Sequence, residues 1–178
     1  MKGSENLPPL ALLEMATGYW ASQAVYVAAK LGIADVLEGG PRKCVELTRA
    51  TGAHPPSLCR LQRALVSLGI CTIDGQNRIG LTPIGQCLQS NAPGSMRAMV
   101  LTLGEEHYQA WGNLLHSVRS GQPAFDALYK MTLFEYLAQN TRPFQTGGYP
   151  SAVRKSVFES STWGLGSNGT ENRLKAPL

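Results

Sequence analysis

The stretch VELTRATGAHPPSLCRLQRALVSLGICTIDGQNRIGLTPIG, residues 45–85, decides the fold. Its first part predicts a short helix over Val45–Ala50, which Gly52 ends. A second helix is then predicted over Pro55–Leu68. Its two initial prolines are tolerated because backbone N–H groups in the first turn of a helix make no hydrogen bond within the helix. Apolar side chains recur at helical spacing along this second helix, at Leu58, Leu61, Leu65 and Leu68. Two helices joined by so short a turn predict a helix-turn-helix.

Two short strands are predicted next, over Ile70–Ile73 and Arg78–Leu81. The Asp-Gly pair in the turn between them is a hairpin signature. Thr82 and Pro83 then cap and begin a helix that runs to Leu88. Helix, turn, helix, hairpin and helix is the order of a winged helix-turn-helix unit. The predicted fold class is therefore mainly α with a small β-hairpin.

A longer helix is predicted upstream, over Pro8–Leu31. No residue between Glu14 and Lys30 is charged, so no side of this helix is strongly solvated. A helix of that kind is covered on more than one side. In so small a domain, we expect the second covering to be another chain. The alternative is a single helix buried in the core of its own domain.

Three further helices are predicted after residue 91, over Ser95–Leu103, Glu105–Arg119 and Phe125–Gln139. The middle helix carries an apolar stripe of Tyr108, Trp111, Leu115 and Val118. From Thr141 onward no apolar periodicity lasts for more than a turn. We therefore predict one domain over residues 1–140 and an irregular or disordered tail over residues 141–178.

Composition and charge limit the classes of protein to which the chain can belong. The chain has 178 residues, 43% hydrophobic and 16% charged, which fits one globular domain with a tail and excludes overall disorder. Its net charge is +4, but residues 1–140 carry 11 Lys+Arg against 10 Asp+Glu, a net +1. The basic excess lies mostly in the tail, so it is weak evidence for a nucleic-acid partner. Neither a membrane span nor a signal peptide is apparent, which predicts a cytoplasmic protein.

Cysteine and histidine offer no evident reactive site. Cys44, Cys59, Cys71 and Cys87 form no CxxC pair, and we predict four reduced thiols in the core and no metal site. His54, His107 and His116 are the natural bases near neutral pH. His107 and His116 are predicted on opposite sides of one helix, so they share no metal or proton relay.

Two motifs in the tail match functional patterns only formally. Residues 164–169 fit GxGxxG, but no buried strand precedes them and only nine residues follow, so this is a chance match. Asn168 begins a glycosylation sequon, yet nothing indicates secretion. We therefore predict no catalytic, cofactor-binding or metal-binding residue in the chain.

Six segments carry a family pattern through their order and spacing: Gly18–Asp35, Glu46–Ala53, Leu58–Ile70, Leu81–Gly85, Ala110–Arg119 and Pro123–Ala138. Together they resemble the N-terminal dimerisation domain of S-adenosylmethionine-dependent O-methyltransferases of the plant caffeate and bacterial polyketide-tailoring type. Family members continue into a Rossmann-like catalytic domain, whereas here the pattern ends near Thr141. The resemblance implies a homodimer whose full-length form methylates a hydroxyl of a small-molecule acceptor. It implies an inactive chain when this part stands alone.

The resemblance also implies roles for particular residues. The expected dimer interface comprises Tyr19, Trp20, Gln23, Ala24 and Val27. Met15 and Trp111 are expected to line an acceptor pocket in a full-length protein.

A winged-helix DNA-binding regulator is the alternative function. Residues 41–88 hold six Lys+Arg against two acids, and Arg60 and Arg63 are predicted on the exposed side of the second helix. Against DNA binding, the wing carries a single cation, Arg78.

Overall fold

The computed structural model describes residues 7–139, apart from the side chain of Leu137. This part of the chain is mostly helical with a small antiparallel sheet, which confirms the predicted fold class. It falls into two compact units, residues 7–105 and residues 106–139. The first unit contains α1 (Pro8–Lys30), α2 (Ile33–Val36), α3 (Cys44–Thr51), α4 (Pro55–Ser67), α5 (Pro83–Gln86) and α6 (Arg97–Thr102). The second contains α7 (Tyr108–Gly112), α8 (Leu114–Ser120), α9 (Ala124–Tyr129) and α10 (Leu133–Gln139).

The long first helix ends within one residue of its predicted end. Pro8 and Pro9 open α1, and Gly32 follows it with a left-handed backbone at φ +66°. The C-terminal part of α1 packs against α2, α4 and α6, and it buries Ala28 and Ala29. The core of the first unit therefore holds one end of α1.

The predicted helix-turn-helix is present as α3 and α4. Gly52 takes a left-handed φ of +66° at the C-terminus of α3, as its place in the turn predicts. Leu47 from α3 and Leu58 and Leu65 from α4 are almost completely buried and form the centre of the core. Because α4 also packs against α1 and the sheet, it links the elements of this unit.

The sheet has three strands rather than the two predicted. Strand β2 (Cys71–Ile73) and strand β3 (Arg78–Leu81) form the expected hairpin. A two-residue strand β1 (Arg42–Lys43) pairs with the other edge of β3. Both residues of β1 are exposed and basic, so no hydrophobic alternation marked them as a strand.

One side chain organises the hairpin turn. The Asp74 carboxylate accepts hydrogen bonds from the backbone N–H of Gln76 and Arg78 and from Arg78 Nε at 2.7 Å. These bonds, the backbone N–H of Arg78 first, hold the pKa of Asp74 below its usual value. The single cation of the wing is therefore already bonded to an acid of the same turn.

The prediction of four reduced core thiols is wrong. Cys44 and Cys59 form a disulfide between α3 and α4, with their Cα atoms 6.0 Å apart. The turn between the two helices brings the cysteines together despite their separation of 15 residues. Of the other two, Cys71 is buried as predicted, whereas Cys87 is exposed. Burial raises the pKa of the Cys71 thiol to about 11.

The predicted helix over Glu105–Arg119 is broken. Leu103–His107 forms a π-helical turn, and Asn113 separates α7 from α8. Gly112 and Asn113 are weak helix formers placed side by side, which explains the break between α7 and α8.

The predicted helix over Phe125–Gln139 is also two helices. Lys130 ends α9 with a left-handed φ of +59°, and its N–H bonds to the Asp126 carbonyl oxygen. Thr132 and Glu135 then bond to each other's backbone N–H at the start of α10, which is a capping box. These bonds from Thr132 hold the pKa of Glu135 below its usual value.

The second unit has its own aromatic core. Phe125 is almost completely buried, with its ring 4.5 Å from that of Tyr129 and 5.6 Å from that of Tyr136, centroid to centroid. The Tyr136 hydroxyl donates to the buried Glu106 carboxylate at 3.1 Å. Helices α7, α8 and α10 all pack against α9, so Phe125 of α9 lies at the centre of this unit.

Candidate dimer interface and pocket residues

The N-terminal half of α1 is exposed although it is strongly apolar. Its large apolar side chains that face solvent in the single chain are Leu10, Leu12, Leu13, Met15, Tyr19 and Trp20. At 100° per residue these positions span roughly 220° of the helix circumference, so the exposure is not confined to one narrow stripe. Residues 8–20 thus form an apolar arm that the described part of the chain leaves largely uncovered.

The predicted interface residues lie at the C-terminal end of this arm. Tyr19 and Trp20 are 50% and 62% exposed, and their rings meet edge to face with centroids 6.1 Å apart. Gln23, Ala24 and Val27 are half-buried, at the transition from the arm to the core. Trp20, Gln23 and Val27 follow an i, i+3, i+7 spacing and therefore share one side of the helix.

Polar contacts anchor the buried end of α1. Lys30 Nζ lies 2.6 Å from Glu105 Oε1, which also accepts a hydrogen bond from the Tyr26 hydroxyl at 3.1 Å. The Arg97 guanidinium donates to the Ala29 carbonyl oxygen at 2.9 Å and to Ser90 Oγ at 2.6 Å. These contacts fix the direction in which the arm extends from the first unit. The sequence alone did not single them out.

The two predicted pocket residues are both exposed. Met15 on the arm is 79% exposed, and Trp111 on α7 is 55% exposed. Leu115 and Val118 on α8, which belong to the stripe predicted with Trp111, are exposed as well. Because Asn113 separates α7 from α8, these side chains do not follow one continuous helix, and they are not covered within the described part of the chain.

The histidines occupy separate places. His54 Nδ1 lies 3.0 Å from Ser57 Oγ at the start of α4, and His116 is half-buried on α8. His107 belongs to the π-helical turn, so the prediction that it shares one helix with His116 is wrong. Burial lowers the pKa of His107, against a smaller opposite effect of the Glu106 charge.

Metal ligands are not grouped in the described residues. Between residues 7 and 139, no three side chains of His, Cys, Asp or Glu come together in a way that could hold an ion. The GxGxxG match at residues 164–169 and the sequon at Asn168 lie outside the described residues.

The basic residues of the helix-turn-helix divide into two groups. Arg60 and Arg63 are exposed on α4, as predicted, and Arg60 donates to Ser57 Oγ at 3.1 Å. Arg78, in contrast, is bonded to Asp74 within the hairpin. DNA binding by this module stays an untested prediction.

Among the helices that the structure describes, none combines the length and the apolarity that crossing a bilayer requires.

The family follows from comparison with known proteins. Residues 13–91, from the arm through the helix-turn-helix and its hairpin, match the model of the O-methyltransferase dimerisation domain. The chain carries this domain. The match begins inside α1 and includes all five predicted interface residues, and the dimerisation domain thus coincides with most of the first unit.

The relatives are bacterial methyltransferases. The chain is 43% identical over 154 residues to the phenazine O-methyltransferase PhzM of Lysobacter antibioticus, a match over 84% of this chain and 45% of that protein. The crystal structure of LaPhzM superposes with a TM-score of 0.71 at 37% identity, over 88% of this chain and 45% of that one.

A solved complex shows a methyl donor in the same family. The O-methyltransferase NcsB1 from neocarzinostatin biosynthesis, bound to S-adenosylmethionine and 2-hydroxy-5-methyl naphthoic acid, superposes with a TM-score of 0.61 at 32% identity. The match covers 89% of this chain and 46% of that one. The chain therefore spans less than half the length of these relatives.

Proposed function

We propose that this chain is the homodimerisation module of an O-methyltransferase that acts on a small molecule. The observation that carries the proposal is the apolar arm, which exposes six large apolar side chains within residues 8–20. Contiguous apolar surface of this kind marks an interaction site in a water-soluble domain. The family match of residues 13–91 supports dimerisation as the interaction.

The arm suits a partner that covers a broad side of it. Its apolar residues take up more than half of the helix circumference, so contact along one narrow stripe leaves several of them in water. When two copies pack together through one two-fold interface, each copy covers the arm of the other. Tyr19 and Trp20 are the anchors of this interface, because large aromatic side chains dominate binding energy at interface centres.

The helix-turn-helix module has a supporting role in this proposal. Helix α4 packs against α1, and Leu58 and Leu65 fix it in the core that holds the buried end of α1. We propose that this module is a winged helix, with the hairpin as its wing, and that it binds protein rather than DNA. The bond between Arg78 and Asp74 supports this assignment, because an acid of the same turn offsets the charge of the one cation in the hairpin.

Methyl transfer belongs to a longer form of the protein. In that form, S-adenosylmethionine donates a methyl group to a hydroxyl of the acceptor, and Met15 and Trp111 contribute apolar contacts to the acceptor pocket. Their exposure supports this role, because both side chains are available to a ligand or to another part of the assembly. We place the working enzyme in the cytoplasm.

The present chain alone is expected to transfer no methyl group. The coverage supports this expectation, because the chain spans 45% of the phenazine O-methyltransferase that it resembles. The test is incubation of the purified 178-residue chain with radiolabelled S-adenosylmethionine and a panel of phenolic acceptors. Incorporation above the blank, dependent on the chain, would overturn this part of the proposal.

Self-association is tested by co-expression of a tagged and an untagged copy. We expect the untagged chain to co-purify with the tagged one in comparable amount, because the arms of two copies cover each other. Mixing the two separately purified chains distinguishes an exchanging dimer from one that forms only during folding. Absence of the untagged copy in both formats contradicts homodimerisation.

A further inference from the structure

The Cys44–Cys59 pair is a feature that dimerisation and methyl transfer do not use. It joins the first residue of α3 to the middle of α4, and both residues are half-buried. The separation of 6.0 Å between their Cα atoms lies in the range that a disulfide spans without backbone movement. Small thiols and disulfides can therefore reach this pair while the domain stays folded.

The other two cysteines differ from the pair in ways that make the site selective. Cys71 is buried, and the rise of its pKa to about 11 keeps it as an unreactive thiol at neutral pH. Cys87 is exposed, and its Sγ donates only to the Pro83 carbonyl oxygen at 3.6 Å. Only the α3–α4 pair offers two sulfurs to each other.

We propose that Cys44 and Cys59 are a reversible oxidation site that takes a low-molecular-weight disulfide as its reactant. This inference rests on the cytoplasmic setting proposed above, because thiols are kept reduced there and a bonded pair then reports an oxidising change. It does not rest on dimerisation. The structure corresponds to the oxidised form of the site.

The exchange proceeds in two balanced steps. The Cys44 thiolate attacks one sulfur of the small disulfide, breaks its S–S bond and releases one small thiolate. The Cys59 thiolate then attacks Cys44 Sγ, forms the Cys44–Cys59 bond and releases the second small thiolate. Two cysteine thiols are thereby oxidised, two protons are lost from them, and one small disulfide is reduced to two thiols. Reduced small thiol reverses both steps.

The disulfide crosslinks α4, the helix against which α1 packs. It ties α3 to α4, and α4 packs against both α1 and β2. A crosslink between these helices restricts the unfolded chain and thereby stabilises the folded module. We expect the oxidised chain to melt about 10 °C or more above the reduced chain.

The test uses the purified full chain equilibrated with oxidised or reduced glutathione, then alkylated in denaturant and analysed by mass spectrometry after digestion. In oxidised glutathione we expect a Cys44–Cys59 link, an alkylated Cys71 and a Cys87 that carries glutathione or the alkyl label. After transfer of the folded chain to millimolar reduced glutathione we expect four alkylated cysteines. Circular dichroism confirms that the reduced chain remains folded.

Two variants serve as controls. Cys87→Ser should leave the link and its reversal unchanged, whereas Cys59→Ser should convert Cys44 to a stable glutathione adduct. The proposal is overturned if no link forms, if the link survives millimolar reduced glutathione, or if oxidation only joins two chains through Cys87. Because the readout is a mass and not an oligomeric state, failure here leaves the dimerisation proposal untouched.

Discussion

Replacement of Trp20 by aspartate is expected to weaken self-association by about 100-fold or more. Trp20 is 62% exposed in the single chain and lies where the apolar arm meets the core. In the proposed dimer this side chain is buried against the second copy, so its loss removes a large aromatic contact. The new carboxylate also has to be desolvated at an apolar interface, which adds to the cost.

The matched control for Trp20→Asp is Asn91→Asp. Asn91 is exposed in the loop after α5, outside the arm, and this substitution adds a carboxylate with almost no change in size. Sedimentation velocity over a range of chain concentrations gives the dissociation constant of each variant. A shift for Trp20→Asp with little change for Asn91→Asp supports the interface. If both variants shift the dissociation constant equally, or if neither does, the contact between the two copies lies elsewhere.

The substitution Gly85→Ala is expected to lower the free energy of unfolding by about 3 kcal/mol or more. Gly85 is buried in α5, and a Cβ there would overlap the backbone carbonyl oxygen of Ile70. That oxygen accepts hydrogen bonds from Thr82, from the backbone N–H at 3.2 Å and from Oγ1 at 3.0 Å. The backbone can therefore relieve the overlap only by disturbing the junction of α5 with the strands.

Gly75→Ala is the control for Gly85→Ala. Gly75 lies in the hairpin turn, where a Cβ meets no atom within 4 Å and the backbone does not have a positive φ. We expect a change of less than about 1 kcal/mol for this substitution. Urea unfolding followed by circular dichroism compares the two. Equal stabilities of the two variants would show that the close approach of α5 to Ile70 is not required.

The sequence was most informative where local signals were strong. Two prolines and a following glycine placed α1 within one residue at its end, and the Asp-Gly turn placed the hairpin. In the second unit the same reasoning joined α9 to α10. The capping box formed by Thr132 and Glu135 marks the start of α10 and separates the two helices. The apolar pattern continues across these residues, so it predicted a single helix.

Contacts between distant residues could not be predicted from these signals. The Cys44–Cys59 disulfide depends on how α3 and α4 pack, and spacing along the chain does not give that geometry. The anchoring of α1 by Glu105 and Arg97 spans about 70 residues or more of chain, so no local pattern indicates it. The lack of a charged side on α1 predicted a helix covered on more than one side, in part by another chain. The described residues leave its N-terminal half exposed, and the covering by another chain stays a prediction.

In the proposed dimer, two copies of this chain cover each other's arms. Multi-angle light scattering of the purified full chain at micromolar concentration measures its mass in solution directly. We predict a mass of about 38 kDa, twice the 19.2 kDa of one chain. A mass equal to that of a single chain, across the same concentrations, would contradict dimerisation.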